Sequence, residues 1–144
     1  PALAAVRDLR AAVPAPLAAA RVVLLPTEVG RYAVEAATLA RSAGLDLVTT
    51  AHAGNGVVHL VMDAGPAGDA NGTRAPATVK VLAGLRDQAR AAGGELVLEW
   101  APLAVKEEVG PWDPPGPAVR LMERIKAQLD PKGIMNPGRF VGGL

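Results

Sequence analysis

An α+β fold is predicted by three observations on this 144-residue chain. Two stretches, residues 29–44 and 76–92, carry apolar side chains at three-and-four spacing. Four short runs, residues 21–25, 45–53, 57–64 and 95–100, have the length and residue types of strands. Asn55-Gly56 joins the middle two runs as a hairpin signal, because both residues tolerate positive φ. In chain order these elements read β-α-β-β-α-β. That is the split βαβ pattern of a ferredoxin-like sandwich, an antiparallel four-stranded sheet with helices on one face and the other face open. Extra helices are expected at the N- and C-terminal ends.

Each element has a local cause. Residues 1–13 read as a helix with Leu3, Val6 and Leu9 on successive turns, ended by Pro14 and Pro16. The run Val22, Val23, Leu24, Leu25 is bounded by Pro26 and reads as a buried strand, after which Thr27 can cap a helix. That helix turns Val29, Tyr32, Ala33, Ala36, Leu39, Ala40 and Ala43 inward, leaves Arg31, Glu35 and Arg41 wet, and stops at Gly44.

A Gly/Pro-rich loop at residues 65–75 follows the hairpin. The second helix presents Val79, Leu82, Ala83, Leu85 and Ala89, and Gly93-Gly94 ends it. In the last strand Leu96, Leu98 and Trp100 alternate inward against Glu95, Val97 and Glu99. A Pro-rich connection, residues 101–117, leads to a third helix with Ala118, Met122, Ile125 and Leu129 on one side, and then to a turn-rich tail.

Composition narrows the function classes. Half of the residues are hydrophobic, enough for one packed domain. Lys and Arg number 15 against 14 Asp and Glu, with no dense basic run, so nucleic acid and anionic membrane have little support as partners. With no cysteine, disulfides and thiol chemistry are excluded. The apolar stretches are short and interrupted, which predicts no membrane insertion and no signal peptide. The chain reads as soluble and cytoplasmic. It opens at Pro1 without an initiator Met, which reads as a processed protein or a piece of a longer one.

Both histidines lie in the hairpin, at 52 and 59. A two-residue turn at Asn55-Gly56 would set His52 opposite His59, sharing the open face with Thr50 and Val61. Ala51, Leu60 and Met62 would then project to the helices. Two imidazoles so placed can bind a zinc-like ion or an anion, with Glu95 or Glu99 as a third group; they can equally be an incidental polar pair on a wet sheet. Ser42, the one serine, has no histidine near it in sequence, and Glu107, Glu108 and Asp113 read as solvated loop carboxylates.

The tail Asp130-Pro131-Lys132-Gly133-Ile134-Met135-Asn136-Pro137-Gly138-Arg139 is the most distinctive stretch. Following a helix, it resembles the closing signature of the FAD-linked oxidases that include glycolate oxidase and D-lactate dehydrogenase subunits. His52-Ala53-Gly54-Asn55-Gly56-Val57-Val58-His59 is similar to that family's H-x-G-D-G-N-x-H element, with Asn55 for its aspartate and Val57 for its asparagine. The relatives' E-H-G-x-G element falls at Glu95 to Glu99, with Leu96 in place of its histidine, the candidate base.

The resemblance implies a C-terminal, substrate-side (cap) domain over residues 1–144, with the FAD-binding domain that precedes this region in the family absent. It implies FAD in the full-length protein but not bound to this piece, and a glycolate oxidase subunit of the E-subunit (GlcE) type, incomplete for catalysis by itself. Partners would be its own FAD-binding domain, other glycolate oxidase subunits and a small 2-hydroxy acid, with any membrane association peripheral and through those subunits. His52, His59 and Glu95 would lie near substrate and flavin, His52 and His59 would be the metal ligands if a metal binds, and Asn136 and Arg139 would be cofactor-binding residues where the chain returns to the flavin domain. Trp112, in a Pro-rich loop, would anchor that domain or a partner subunit. The alternative is a non-catalytic ferredoxin-like binding or assembly module.

Overall fold

The structure, a computed structural model, describes Val13, residues 16–65, Asp69 and residues 71–144. Of the helix expected over residues 1–13, all but Val13 lies outside the described residues. The chain divides into two compact units, Pro1–Pro111 and Trp112–Leu144.

The first unit is built on strands β1 (Pro16–Val23), β2 (Asp46–His52), β3 (Val57–Asp63) and β4 (Glu95–Trp100). They form one antiparallel sheet in the order β2-β3-β1-β4, as the split βαβ pattern requires. Helices α1 (Val29–Ser42) and α2 (Ala75–Ala91) supply the two crossovers.

Strand β1 begins five residues before the expected strand and ends at Val23. The alanines of Leu17-Ala18-Ala19-Ala20 weaken a propensity-based reading, but this strand lies between β3 and β4 and is buried on both faces, so tertiary context overrides propensity. Pro16 is tolerated as the first residue of the strand.

One core fills the space between helices and sheet. Ala18, Ala20 and Val22 of β1, Val58, Leu60 and Met62 of β3, and Leu96 and Leu98 of β4 meet Tyr32, Ala36 and Ala40 of α1 and Leu82, Leu85 and Ala89 of α2. The Tyr32 hydroxyl donates to the Leu85 carbonyl at 3.1 Å, tying α1 to α2, and burial holds this phenol well above its ordinary pKa. Helix α2 buries Thr78, Val81 and Arg86 besides the expected leucines, while Ala83 faces solvent.

The Pro-rich connection holds an unexpected helix, α3 (Leu103–Val109), bracketed by Pro102 before it and Gly110 at φ 74° after it. That Pro-start, Gly-stop asymmetry was its sequence signal. Val105 is buried, and the Arg86 guanidinium donates to the carbonyls of Val109 and Gly110 at 2.6 and 2.9 Å.

In the second unit, helix α4 (Val119–Leu129) buries none of its residues, and Leu121, Ile125 and Leu129 are exposed. Trp112 is half-buried, its ring 6.0 Å from that of Phe140. Among the described residues no helix is long and apolar enough to cross a membrane.

Candidate functional site on the open sheet face

The hairpin that carries the histidines differs from the expected two-residue turn. Ala53–Asn55 forms a single 3-10 turn, and Gly56 follows in the left-handed region at φ 75°. The Asn55 Oδ1 accepts from the Val57 N–H at 3.3 Å. The connection is therefore the four residues 53 to 56, and the pairs are His52 with Val57, Ala51 with Val58 and Thr50 with His59.

Gly56 explains the longer loop. Its carbonyl accepts from the Leu24 N–H at 2.8 Å, so the turn is fastened to the chain leaving β1. A Cβ on Gly56 would overlap the Leu24 carbonyl oxygen, so only glycine fits.

The register is displaced by two residues from the expected one. Side chains alternate with period two, so the displacement leaves every residue on its expected face. His52 and His59 thus share the open face, as diagonal rather than facing neighbours, with ring centroids 6.3 Å apart and planes near perpendicular. His52 is exposed and His59 partly so.

Strand β4 brings up a carboxylate, but it is Glu99 rather than Glu95. Ala20 pairs with Leu98 and Ala19 with Trp100, so Glu99 is the extra residue of a bulge. Its Oε2 lies 3.9 Å from His59 Nδ1 and its Oε1 3.5 Å from Arg21 Nε. Glu95 pairs with Val23 in the row that runs across the sheet through Val57 to His52, so β1 and β3 stand between it and His52.

The bulge also corrects Trp100. Beyond it the alternation is reset, and Trp100 joins Val13, Ala19 and Val61 in a small cluster on the open face instead of entering the main core. Part of the face expected to be open is therefore covered.

Arg21 was not singled out from the sequence, although a lone charge within the apolar run from Leu17 to Leu25 was the available signal. It pairs with His59 on one side and Val97 on the other, in the middle of the sheet.

Leu96 is fully buried on the helix side. A histidine there would point into the core, away from His52 and His59. Ser42 donates to the Leu39 carbonyl of its own helix. Among the described residues no group of three or more His, Cys, Asp or Glu side chains is placed to hold a metal ion.

The tail signature has a structural cause of its own. Asp130, buried at the end of α4, accepts from the Ile134 and Met135 N–H groups at 2.9 Å each and from Lys126 Nζ at 3.0 Å. Gly133 and Gly138 take positive φ, as does Asn136 at 47°, and the Asn136 carbonyl accepts from the Arg139 N–H at 3.2 Å. Asn136 and Arg139 are both exposed.

Hydrogen bonds from the Met135 amide, Lys126 and the Ile134 amide hold the Asp130 carboxyl below the usual carboxylate range. Its ionised form therefore stabilises the folded loop above the ordinary pKa of about 3.9, and that stabilisation is lost as pH falls through the lower folded value. Amide protection at Ile134 and Met135 is expected to collapse in acid, and Asp130→Asn should lose it already at neutral pH. Hydrogen exchange followed by NMR checks both.

No curated protein matches the chain. The family model described as FAD linked oxidases, C-terminal domain, matches residues 2–140, nearly the whole length. The chain belongs to the FAD-linked oxidase family, as its C-terminal domain.

Proposed function

We propose that the chain is the substrate-side domain of a flavoprotein subunit in a multi-subunit 2-hydroxy-acid oxidase of the glycolate oxidase type. The observation that carries this reading is the placement of His52 and His59 on one accessible sheet face, 6.3 Å apart, in a domain of an FAD-linked family. The donor set fits the polar edge of a flavin ring or a hydroxy acid. Two imidazoles offer ring nitrogens, and Arg21 Nε is buried without a hydrogen-bond partner.

In the full-length protein, bound FAD would take the two electrons removed from the hydroxy-bearing carbon. The residues of this chain bind and orient: His52 and His59 hold the hydroxy acid against the flavin, and any metal there would use the same two nitrogens. A preceding FAD-binding domain would supply the dinucleotide site, with Asn136, Arg139 and the half-buried Trp112 on the side that meets it. In this reading other glycolate oxidase subunits complete the enzyme in the cytoplasm.

The test is flavin reduction by glycolate in the full-length protein with its partner subunits. His52→Ala with His59→Ala is expected to slow it about a hundredfold, the scale of losing positioned acid–base groups. Wild-type turnover and wild-type flavin reduction in that variant would sink the reading. They would favour a non-catalytic assembly module, which the exposed Leu121, Ile125 and Leu129 of α4 also suit.

A further inference from the structure

Arg21 is the one Lys or Arg in the four strands. It stands in the central strand beside His59, and the bulge in β4 delivers Glu99 between them. We infer that Arg21 and His59 form a seat for a small carboxylate anion, and that Glu99 fills this seat from within the chain.

The distances show why the seat is filled but not satisfied. A charge-assisted N–H···O bond closes to about 2.7–2.9 Å. Glu99, tethered to its strand, stops at 3.5 Å from Arg21 Nε and 3.9 Å from His59 Nδ1. Arg21 Nε is consequently buried with no hydrogen bond. A free carboxylate carries no tether and can close on both groups.

Displacing Glu99 is easy, because the Arg21 and Glu99 side chains are 43% and 42% exposed and so solvated an ion pair is held weakly. Glu99 therefore acts as an internal competitor. It sets the concentration at which a small carboxylate enters the site, and it discriminates against anions that bind more weakly than itself.

The seat rests on the oxidase reading in sharing Arg21 and His59 with the hydroxy-acid site, but it is tested separately with acetate, which has no hydroxyl to oxidise and needs no flavin. Acetate is titrated at constant ionic strength into the chain, following the imidazole C–H resonances of its two histidines by NMR. In Glu99→Gln the His59 resonance is expected to saturate at an acetate concentration about tenfold lower than in the wild type, the scale of removing one close, partly solvated charge. His52 should shift less, and Arg21→Met in the Glu99→Gln background should abolish the response.

Equal affinity in wild type and Glu99→Gln would overturn the inference, as would no His59 response in Glu99→Gln or a response that survives Arg21→Met. Glu99→Ala gives a second reading of the same removal if the amide disturbs the bulge. None of these failures would touch the His52 and His59 test in the full-length protein.

Discussion

Gly56→Ala is expected to lower the unfolding free energy by about 3 kcal/mol, read as a fall in the urea midpoint at constant slope. Two effects add. The residue sits at φ 75°, a conformation that strains any side chain, and an added Cβ would overlap the carbonyl oxygen of Leu24. That oxygen belongs to backbone, which cannot rotate aside as a flexible side chain could. Relief requires the turn to lift from the end of β1, breaking the bond from the Leu24 N–H to the Gly56 carbonyl and moving His52 away from His59. Gly54→Ala, two residues earlier, is the control: no heavy atom lies within 4 Å of the added Cβ and φ is not positive, so the change should stay within about 0.5 kcal/mol.

Arg86→Leu is expected to cost about as much, roughly 3 kcal/mol, by a different route. Arg86 is 7% exposed and caps the end of α3 with two charge-assisted bonds, to the carbonyls of Val109 and Gly110. Leucine fills much of the same space but leaves both acceptors without that donor. Arg86→Lys keeps the charge but replaces a planar fork with a point donor, so it should fall between the two. Hydrogen exchange separates local from global effects: loss of the cap should expose the Gly110 N–H, bonded to the Lys106 carbonyl, well before the β-sheet amides.

The fold was legible because its signals are periodic and local. The stripe through Val29, Tyr32, Ala36 and Ala40 marks a helix with one buried side, and the alternation in residues 57–63 marks a strand with one side under helices. Element order then fixed the sheet. Non-local effects were what periodicity missed. The alanine-rich start of β1 is a strand because β3 and β4 flank it, which no local propensity records. The bulge at Glu99 depends on pairing with β1, so alternation alone sends Trp100 to the wrong side of the sheet; it gives Glu95 and Glu99 the same face, and only the family resemblance singles out Glu95.

The site was legible to the extent that its errors were even-numbered. The hairpin is two residues longer in its turn than Asn55-Gly56 alone suggests, yet His52 and His59 still share a face. Arg21 escaped notice because a single charge in an apolar run has no motif around it. The closing signature reads as turns in the sequence, and its hydrogen bonds show what fixes them: Asp130 organises Ile134 and Met135, and the glycines and Asn136 take the positive-φ turns.

The exit of β1 also bears on the order of folding. An added Cβ at Gly56 would meet Leu24, and one at Gly94 would meet the Val23 carbonyl and the Leu24 side chain. Three chain segments remote in sequence therefore close on one another at a single vertex. Such a vertex can be completed only after β3 and β4 have docked on β1, which places it late, beyond the transition state. Damage there should fall on the lifetime of the native state rather than on the speed of reaching it. Gly56→Ala is thus expected to unfold faster while refolding at nearly the wild-type rate, and the two glycines serve as a latch on a sheet already assembled.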